Sequence, residues 1–510
     1  MLKFLVSDNG VPTADRAIRS AYLVGSDHSA LRGEITFENG VILCRKHDGG
    51  PAALALPQAA GDCGKLILQT CLLPEREEPY LLALEIARHR LMMLYQKLED
   101  WGMYDLDGDH SVSRSVELAR QQFIEALCQR VDQSARAEEL ARQCLITAMA
   151  CSETLAFTHA KLLLDRRKAT GSIPRHVLGC GVFLDHTSDE IRAGLLSSFD
   201  YFYLPTPWRA VAPHEGAYRW ETLDNWCDWA QRNRLPIMAG PVIRFDPAHL
   251  PDWVYMWEHD FGIIRDLLYE HIECLVSRYR RVVGGWNVAS GLNVNQHFTL
   301  NIDQLLELSR MSAMLVRKIQ PQARILIEVR EPFGEYCNAN QHSIPPLLYA
   351  DRLIQGATHF DGFAIRFAMG QPEPGQYARD VMQLSSLMDQ FSVFGKPLHL
   401  IIAAPSDKVT SKTMSSVSKE PIERSCGIWR EPWSPSVQSG WLEALCQIGM
   451  SKPYVESVTW QEFADHPSSE VPFAGLIGHD MQPKEALRNL TSFRQALTER
   501  EPGDVTDHTG

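Results

Sequence analysis

Hydrophobic and polar positions change rhythm twice along this chain. Up to about residue 75, apolar residues come in short runs, Leu2–Val6, Ala21–Val24, Gly33–Phe37, Val41–Arg45, Ala52–Leu56 and Lys65–Leu73, punctuated by Gly, Pro, Asp and Asn. That texture predicts short antiparallel strands, and Glu38-Asn39-Gly40 between two of the runs is a hairpin signal. From about 79 to 170 the spacing becomes helical. One helix opens at Tyr80 and ends near Trp101-Gly102, a second runs from about Ser113 to Val131, and a third from about Ala135 to Arg167. Leu118, Phe123, Leu127, Leu145, Ala148 and Leu155 mark the faces expected to pack. Asp105-Leu106-Asp107-Gly108-Asp109 has the look of a calcium loop, but its glycine comes early and Val116 stands where a twelfth-position glutamate is needed, so it predicts a turn.

From about 174 to 495, nearly continuous apolar runs alternate with amphipathic segments. Eight strands are predicted: Val177–Leu184, Asp200–Leu204, Ile237–Phe245, Gly284–Ala289, Arg324–Val329, Gly362–Phe367, Leu398–Ala403 and Val455–Trp460. Helices fall between them, among others Glu221–Asn233, Phe261–Arg280, Ile302–Ile319 and Ser436–Ile448. Apolar runs without alternation suit strands covered on both faces, and eight β/α repeats predict an α/β fold, a closed (β/α)8 barrel. The expected organisation is a small antiparallel β module over 1–78, a helical segment over 79–172, the barrel over 173–498 and a loose polar tail over 499–510.

Composition narrows the function classes. The 510 residues carry 50 Lys plus Arg against 63 Asp plus Glu, a formal net charge of −13, which argues against a surface built to replace phosphate counterions on nucleic acid. No apolar run approaches the roughly 20 residues that span a bilayer. The N-terminal MLKFLVSDNGVP reaches Asp8 after a short apolar stretch, so no secretory signal, no membrane association and a cytoplasmic location are expected. Twelve cysteines are scattered without a CxxC pair. Those at 128, 144, 151, 227, 274 and 446 fall in helical stretches and read as reduced, buried thiols. The 18 histidines show neither HExxH nor HxH spacing, and no metal is expected. Gly61-Asp62-Cys63-Gly64-Lys65 and Gly179-Cys180-Gly181 lack phosphate-loop spacing, and no cofactor is expected.

In such a barrel, chemistry sits at the C-terminal ends of the strands. Those ends bring Trp208 after strand two, Arg244 and Asp246 after strand three, and Trp286, Asn287 and Asn293 at strand four. Glu328, Arg330 and Glu331 end strand five, Arg366 ends strand six, and Trp460, Glu462 and Asp465 end strand eight. Indoles stack on apolar sugar faces while carboxylates, amides and arginines pair with hydroxyls, so these residues point to a carbohydrate ligand. The loop after strand seven, Ser406–Ser425 followed by Trp429 and Trp433, reads either as a polar lid ending in stacking platforms or as a surface insertion whose return the two tryptophans anchor.

The barrel resembles glycoside hydrolase family 10, the endo-β-1,4-xylanases. Trp208 with Pro213-x-x-Gly216-x-Tyr218-x-Trp220 and Leu223-Asp224 is similar to that family's segment after strand two, and Leu250-Pro251-Asp252-Trp253 to its Pro-x-Trp. Gly285-Trp286-Asn287-Val288 resembles its "WDVVNE" strand, Gly362-Phe363-Ala364-Ile365 its "DGIGLQ", and Gly395-Lys396-Pro397-Leu398 the lead into "ITELD". Gln438, then Val458-Thr459-Trp460 with Asp465, is similar to its "QA…TWGxxD" end, so the match keeps its order over about 300 residues. The resemblance implies binding or hydrolysis of a β-linked polysaccharide or oligosaccharide. By analogy, it makes the β module a carbohydrate-binding accessory.

The family's two catalytic glutamates are missing from their places. Ser290-Gly291 stands for the strand-four Asn-Glu pair and Ile401-Ile402-Ala403 for the strand-seven Thr-Glu-Leu. Leu204 and Pro207 replace the strand-two Asn and Lys, and Pro241 the strand-three His. Retaining hydrolysis needs two carboxyl groups about 5–5.5 Å apart, and the usual positions supply none. A pair rotated by one strand, Glu331 (or Glu328) facing Glu462, is one route to an active enzyme; an inverting acid and base about 6.5–9.5 Å apart is another. The alternative is a non-catalytic scaffold, with self-association through the helical segment.

Overall fold

The computed structural model describes residues 1–6, 18, 20–47, 49–129, 134–409, 411–414, 421–424 and 426–498. Leu178–Gly181, Tyr201–Leu204, Ile237–Ala239, Gly285–Ser290, Arg324–Val329, Gly362–Ala368, Leu398–Ala403 and Val455–Trp460 form a closed ring of parallel strands, the eighth pairing with the first. They are the eight predicted strands: the first three are shorter than expected, the fourth is shifted by one residue, the sixth runs one residue further, and the fifth, seventh and eighth match at both ends. Helices Asp189–Ser198, Glu221–Asn233, Phe261–Tyr279, Ile302–Ile319, Pro346–Gln355, Val381–Ser392, Pro435–Ser451 and Glu485–Thr498 follow them in turn. Strands four to seven are buried almost throughout, one face on the barrel axis and the other under helices, which is why their sequences alternate so weakly. Tyr203, Met238, Leu326, Ala364 and Ile401 meet on the axis. Above them toward the C-terminal end, Asn287 Nδ2 donates to Glu328 Oε2 and to the Tyr203 hydroxyl, both at 2.6 Å.

The N-terminal residues build two sheets. One has the order Gly33–Glu38, Val41–Lys46, Leu2–Leu5, Tyr80–Leu81. Its hairpin turns at Asn39 and Gly40, both with positive φ (51° and 78°), the two-residue turn whose twist matches antiparallel strands. The second has the order Ile428–Trp429, Gly64–Gln69, Ala53–Ala59, Tyr22–Val24, Ala30–Leu31. Its outer strand comes from the segment after barrel strand seven. Gly64 permits this: at φ 101° a Cβ there would lie 2.2 Å from the Ile428 carbonyl oxygen.

This pairing favours the anchored return over the lid. Trp429 lies in the N-terminal sheet, buried, and Trp433 is buried against Gly370. Neither is a platform over the mouth. Between them and strand seven, Ser411–Met414 and Pro421–Arg424 form an antiparallel pair, while 410, 415–420 and 425 lie outside the described residues, as does the tail from 499.

The three predicted helices span Leu82–Asp100, Ser111–Gln129 and Ser134–Ala169. Phe123, Leu127, Leu145, Ala148 and Leu155 pack as expected, but Leu118 is 49% exposed. Cys144, Cys151, Cys227 and Cys446 are buried, whereas Cys128 and Cys274 face solvent. The segment is tied to the barrel by polar bonds. Arg90 forks onto Asp380 at 2.7 and 3.1 Å, and Arg167 Nη1 donates to the carbonyls of Met450 and Lys452 at 2.8 and 2.7 Å. No described helix is long and apolar enough to cross a membrane.

Candidate functional site

A cleft of about 300 Å³ opens among the residues that follow strands three to six and eight. Arg244, Phe245 and Asp246 line it from strand three, Ser290 and Gly291 from strand four, Arg330 and Glu331 from strand five. Gln371, Glu373 and Gln376 come from the loop after strand six and Glu470 from the loop after strand eight. Of the residues predicted from the sequence, Arg244, Asp246, Arg330 and Glu331 therefore share one cleft.

Glu470 organises the charge. Its Oε1 pairs with Arg244 and its Oε2 with Arg330 at 3.0 Å and with Arg366. Burial opposes ionisation of Glu470, but Arg244, Arg330 and Arg366 outweigh it and hold the carboxyl well below its usual range. Asp246 pairs with Arg244 and accepts from His249 at 2.8 Å, and these two partners hold it below the usual range against the upward pull of burial. Arg366 also donates to Gln461 Oε1 at 2.6 and 3.0 Å. Glu470 was not recognisable beforehand. It lies ten positions beyond strand eight, in Pro467-Ser468-Ser469-Glu470-Val471-Pro472, with no motif around it. The available signal was indirect: arginines ending three inward-facing strands require a buried anion.

The loop bearing Glu470 is fixed at both ends. Asp465 pairs with Lys484 at 2.7 Å and accepts the Gly475 N–H at 2.8 Å, while His466 stacks on Phe183 and meets Asp185 at 3.1 Å. Val471 and Ala474 pack on Ala368 and Ala403, capping the strand-six and strand-seven ends with apolar surface. Asp185, His186 and His466 come within 4.8 Å of one another, a grouping that could ligate a metal. However, His466 Nδ1 accepts the Ser468 N–H at 3.1 Å, which leaves its proton on Nε2, facing Asp185 as a donor rather than a ligand.

The remaining predicted residues stand elsewhere. Trp286 is fully buried with its N–H on Gln320 Oε1 at 2.9 Å, and Trp460 donates to the Ala474 carbonyl at 2.8 Å. Trp208 is buried against His271, ring centroids 4.7 Å apart. None of these indoles lines the cleft, so the expected stacking platforms are corrected. Strand alternation sends Trp286 and Trp460 outward and their neighbours Asn287 and Gln461 inward. Asn293 bonds the Arg330 carbonyl and the Tyr336 hydroxyl, Asn287 sits below the cleft, and Asp465 is spent on the loop anchor.

At the resemblance's acid/base position, Gly291 has φ 69°, and a Cβ there would meet Arg330 Cδ at 2.9 Å. The aliphatic stem of Arg330 thus crowds the position next to Gly291. On strand seven, Ile401 packs on the axis with Leu326 and Ala364, so alternation turns Ile402 to the helices.

Of the rotated pair, Glu331 lines the cleft on strained left-handed backbone (φ 47°), and its Oε2 has no hydrogen-bond partner among the described residues. Burial raises its carboxyl above the usual range although Arg330 and Arg366 oppose the shift. Glu462 lies behind the cleft, its Oε1 accepting the Glu470 N–H at 3.2 Å. Burial, with Glu470 adding, pushes it from 4.5 up to about 7. The folded protein thus binds more protons than the unfolded chain between these values, and stability falls as pH rises through them. Glu462→Gln is expected to raise Tm at pH 8 and leave it unchanged at pH 4.5, read by thermal unfolding. An equal change at both pH values would contradict this origin.

No family model matches the chain, and no curated protein matches it. Among solved structures it is similar to xylanase 10B from Thermotoga maritima, with 14% identity over 65% of this chain and 98% of that one and a TM-score of 0.47. It is also similar to an endo-1,4-beta-xylanase from Caldicellulosiruptor owensensis (16%, 65% and 99%, 0.47) and to a GH10 structure from Paenibacillus barcinonensis (15%, 64% and 97%, 0.46).

Proposed function

We propose that the barrel mouth binds a β-linked oligosaccharide and that the two-glutamate double displacement does not run there. The observation that carries this reading is the cleft at the C-terminal end of the barrel, lined by converging arginine, carboxylate and amide groups. Ser290 and Glu331 belong to its lining, and Ser290 Oγ and Glu331 Oε2, both buried, have no hydrogen-bond partner among the described residues. The reading without double displacement is supported by the Arg330 stem crowding Gly291 and by the buried apolar Ile401-Ile402-Ala403 on strand seven.

The test is a thermal-shift screen of the whole chain with neutral xylo- and gluco-oligosaccharides, beside a reducing-end assay on xylan. The expected result is a ligand-dependent rise in Tm, by mass action on the folded state, without product. Hydrolysis that disappears in both Glu331→Gln and Glu462→Gln would replace this reading with the rotated pair. No ligand-dependent shift, together with a discrete oligomer in light scattering, would replace it with the scaffold.

A further inference from the structure

The arginines at the mouth are more than hydroxyl donors require. Arg244, Arg330 and Arg366 converge on one carboxylate, their side chains only 14, 12 and 4% exposed. Burying guanidinium groups is unfavourable unless an anion meets them. Asp246 serves Arg244, and among the described residues Glu470 is the only carboxylate within 4 Å of Arg330 or Arg366. Glu470 also lines the cleft, and its side chain is 27% exposed. An anion site, a cleft for its ligand and an internal carboxylate at the junction thus stand together.

We propose that the three arginines are a receptor for the carboxylate of an acidic sugar, a uronic-acid residue of the ligand, and that Glu470 is the intramolecular competitor that this carboxylate displaces. This rests on the oligosaccharide reading and specifies it. Charge decides the class. A neutral sugar displacing Glu470 would leave Arg330 and Arg366 buried without a counter-charge. A uronate replaces one carboxylate by another and releases Glu470 to water. The geometry favours a planar carboxylate, since one oxygen meets Arg244 and the other meets Arg330 and Arg366. The exchange is a side-chain swing: the loop backbone is anchored through Asp465–Lys484 and His466–Asp185 and packed through Val471 and Ala474. The rest of the sugar ring then lies against the cleft lining of Gly291, Gln371 and Gln376.

Calorimetric titration of the full chain with cellobiouronic acid and with cellobiose, which differ by one carboxylate, tests this. The uronate is expected to bind at least about tenfold more tightly. Glu470→Gln, which keeps the shape and removes the competing charge, should tighten the uronate further and widen its preference over cellobiose. Arg366→Gln should remove the preference. Equal affinities of the two disaccharides, or a Glu470→Gln variant that binds the uronate no better, would overturn the inference while the oligosaccharide reading stands. Binding of inorganic phosphate as tight as that of the uronate would overturn the sugar assignment. If neither disaccharide nor any longer neutral oligosaccharide binds, both readings fall together. Thermal unfolding of each variant confirms that it is folded before titration.

Discussion

Replacing Glu470 by alanine is expected to cost about 3–5 kcal/mol of stability at neutral pH, the usual cost of removing one partner from a buried ion cluster. Arg330 and Arg366 lose their counter-charge and Arg244 one of two. None can neutralise itself, because a guanidinium keeps its proton. The sign of the pH dependence follows from the carboxyl being held well below its usual range in the folded protein. A depressed carboxylate contributes its stability in full above the unfolded value and loses it as pH falls through the folded one. The gap between wild type and variant should therefore be widest at neutral pH and close in strong acid. Denaturant unfolding at neutral and acidic pH measures it. A loss below about 1 kcal/mol, typical of exposed pairs, would mean that the cluster is solvated.

A comparable loss is expected from Arg90→Ala, far from the cleft. Arg90 and Asp380 are both essentially inaccessible, and the fork between them joins the first helix of the N-terminal half to the helix after barrel strand six. Asp380 also caps that helix, accepting the N–H groups of Met382 and Gln383 at 3.1 Å. Removing the arginine strands a buried carboxylate, at about 3–5 kcal/mol. Pairing Arg90→Leu with Asp380→Asn, which keeps a capping oxygen, should recover most of that loss, since no buried charge is then left without its partner. A double variant no better than Arg90→Ala would show that packing around Arg90, and not charge, fixes the two halves together.

Legibility differed between features for physical reasons. The eight strands and the three long helices were readable because their periods are local, and so was the hairpin at Asn39-Gly40. The arginines at the ends of strands three, five and six were readable as polar residues where apolar runs stop. The orientation of Trp286 and Trp460 was not, because a strand buried on both faces has no polar phase to show which residues turn inward. Ile428–Trp429 was unreadable as a strand: it is two residues long and pairs with Lys65 and Gly64, more than 360 positions earlier.

By itself, the sequence determined a ring of eight β/α units, a mouth rich in arginine, and the absence of a carboxylate at both positions where the family resemblance calls for one. Those are statements about residue type and local period, which the chain carries wherever it folds. Only the tertiary structure decided that the Arg330 stem packs against Gly291, that Glu470 crosses the mouth to meet three arginines, and that the tryptophans support the barrel from outside. The arginines lie between 104 and 226 positions from Glu470. Closure of the barrel brings them within hydrogen-bond reach, and the low dielectric of the buried mouth then makes that one carboxylate the partner they require.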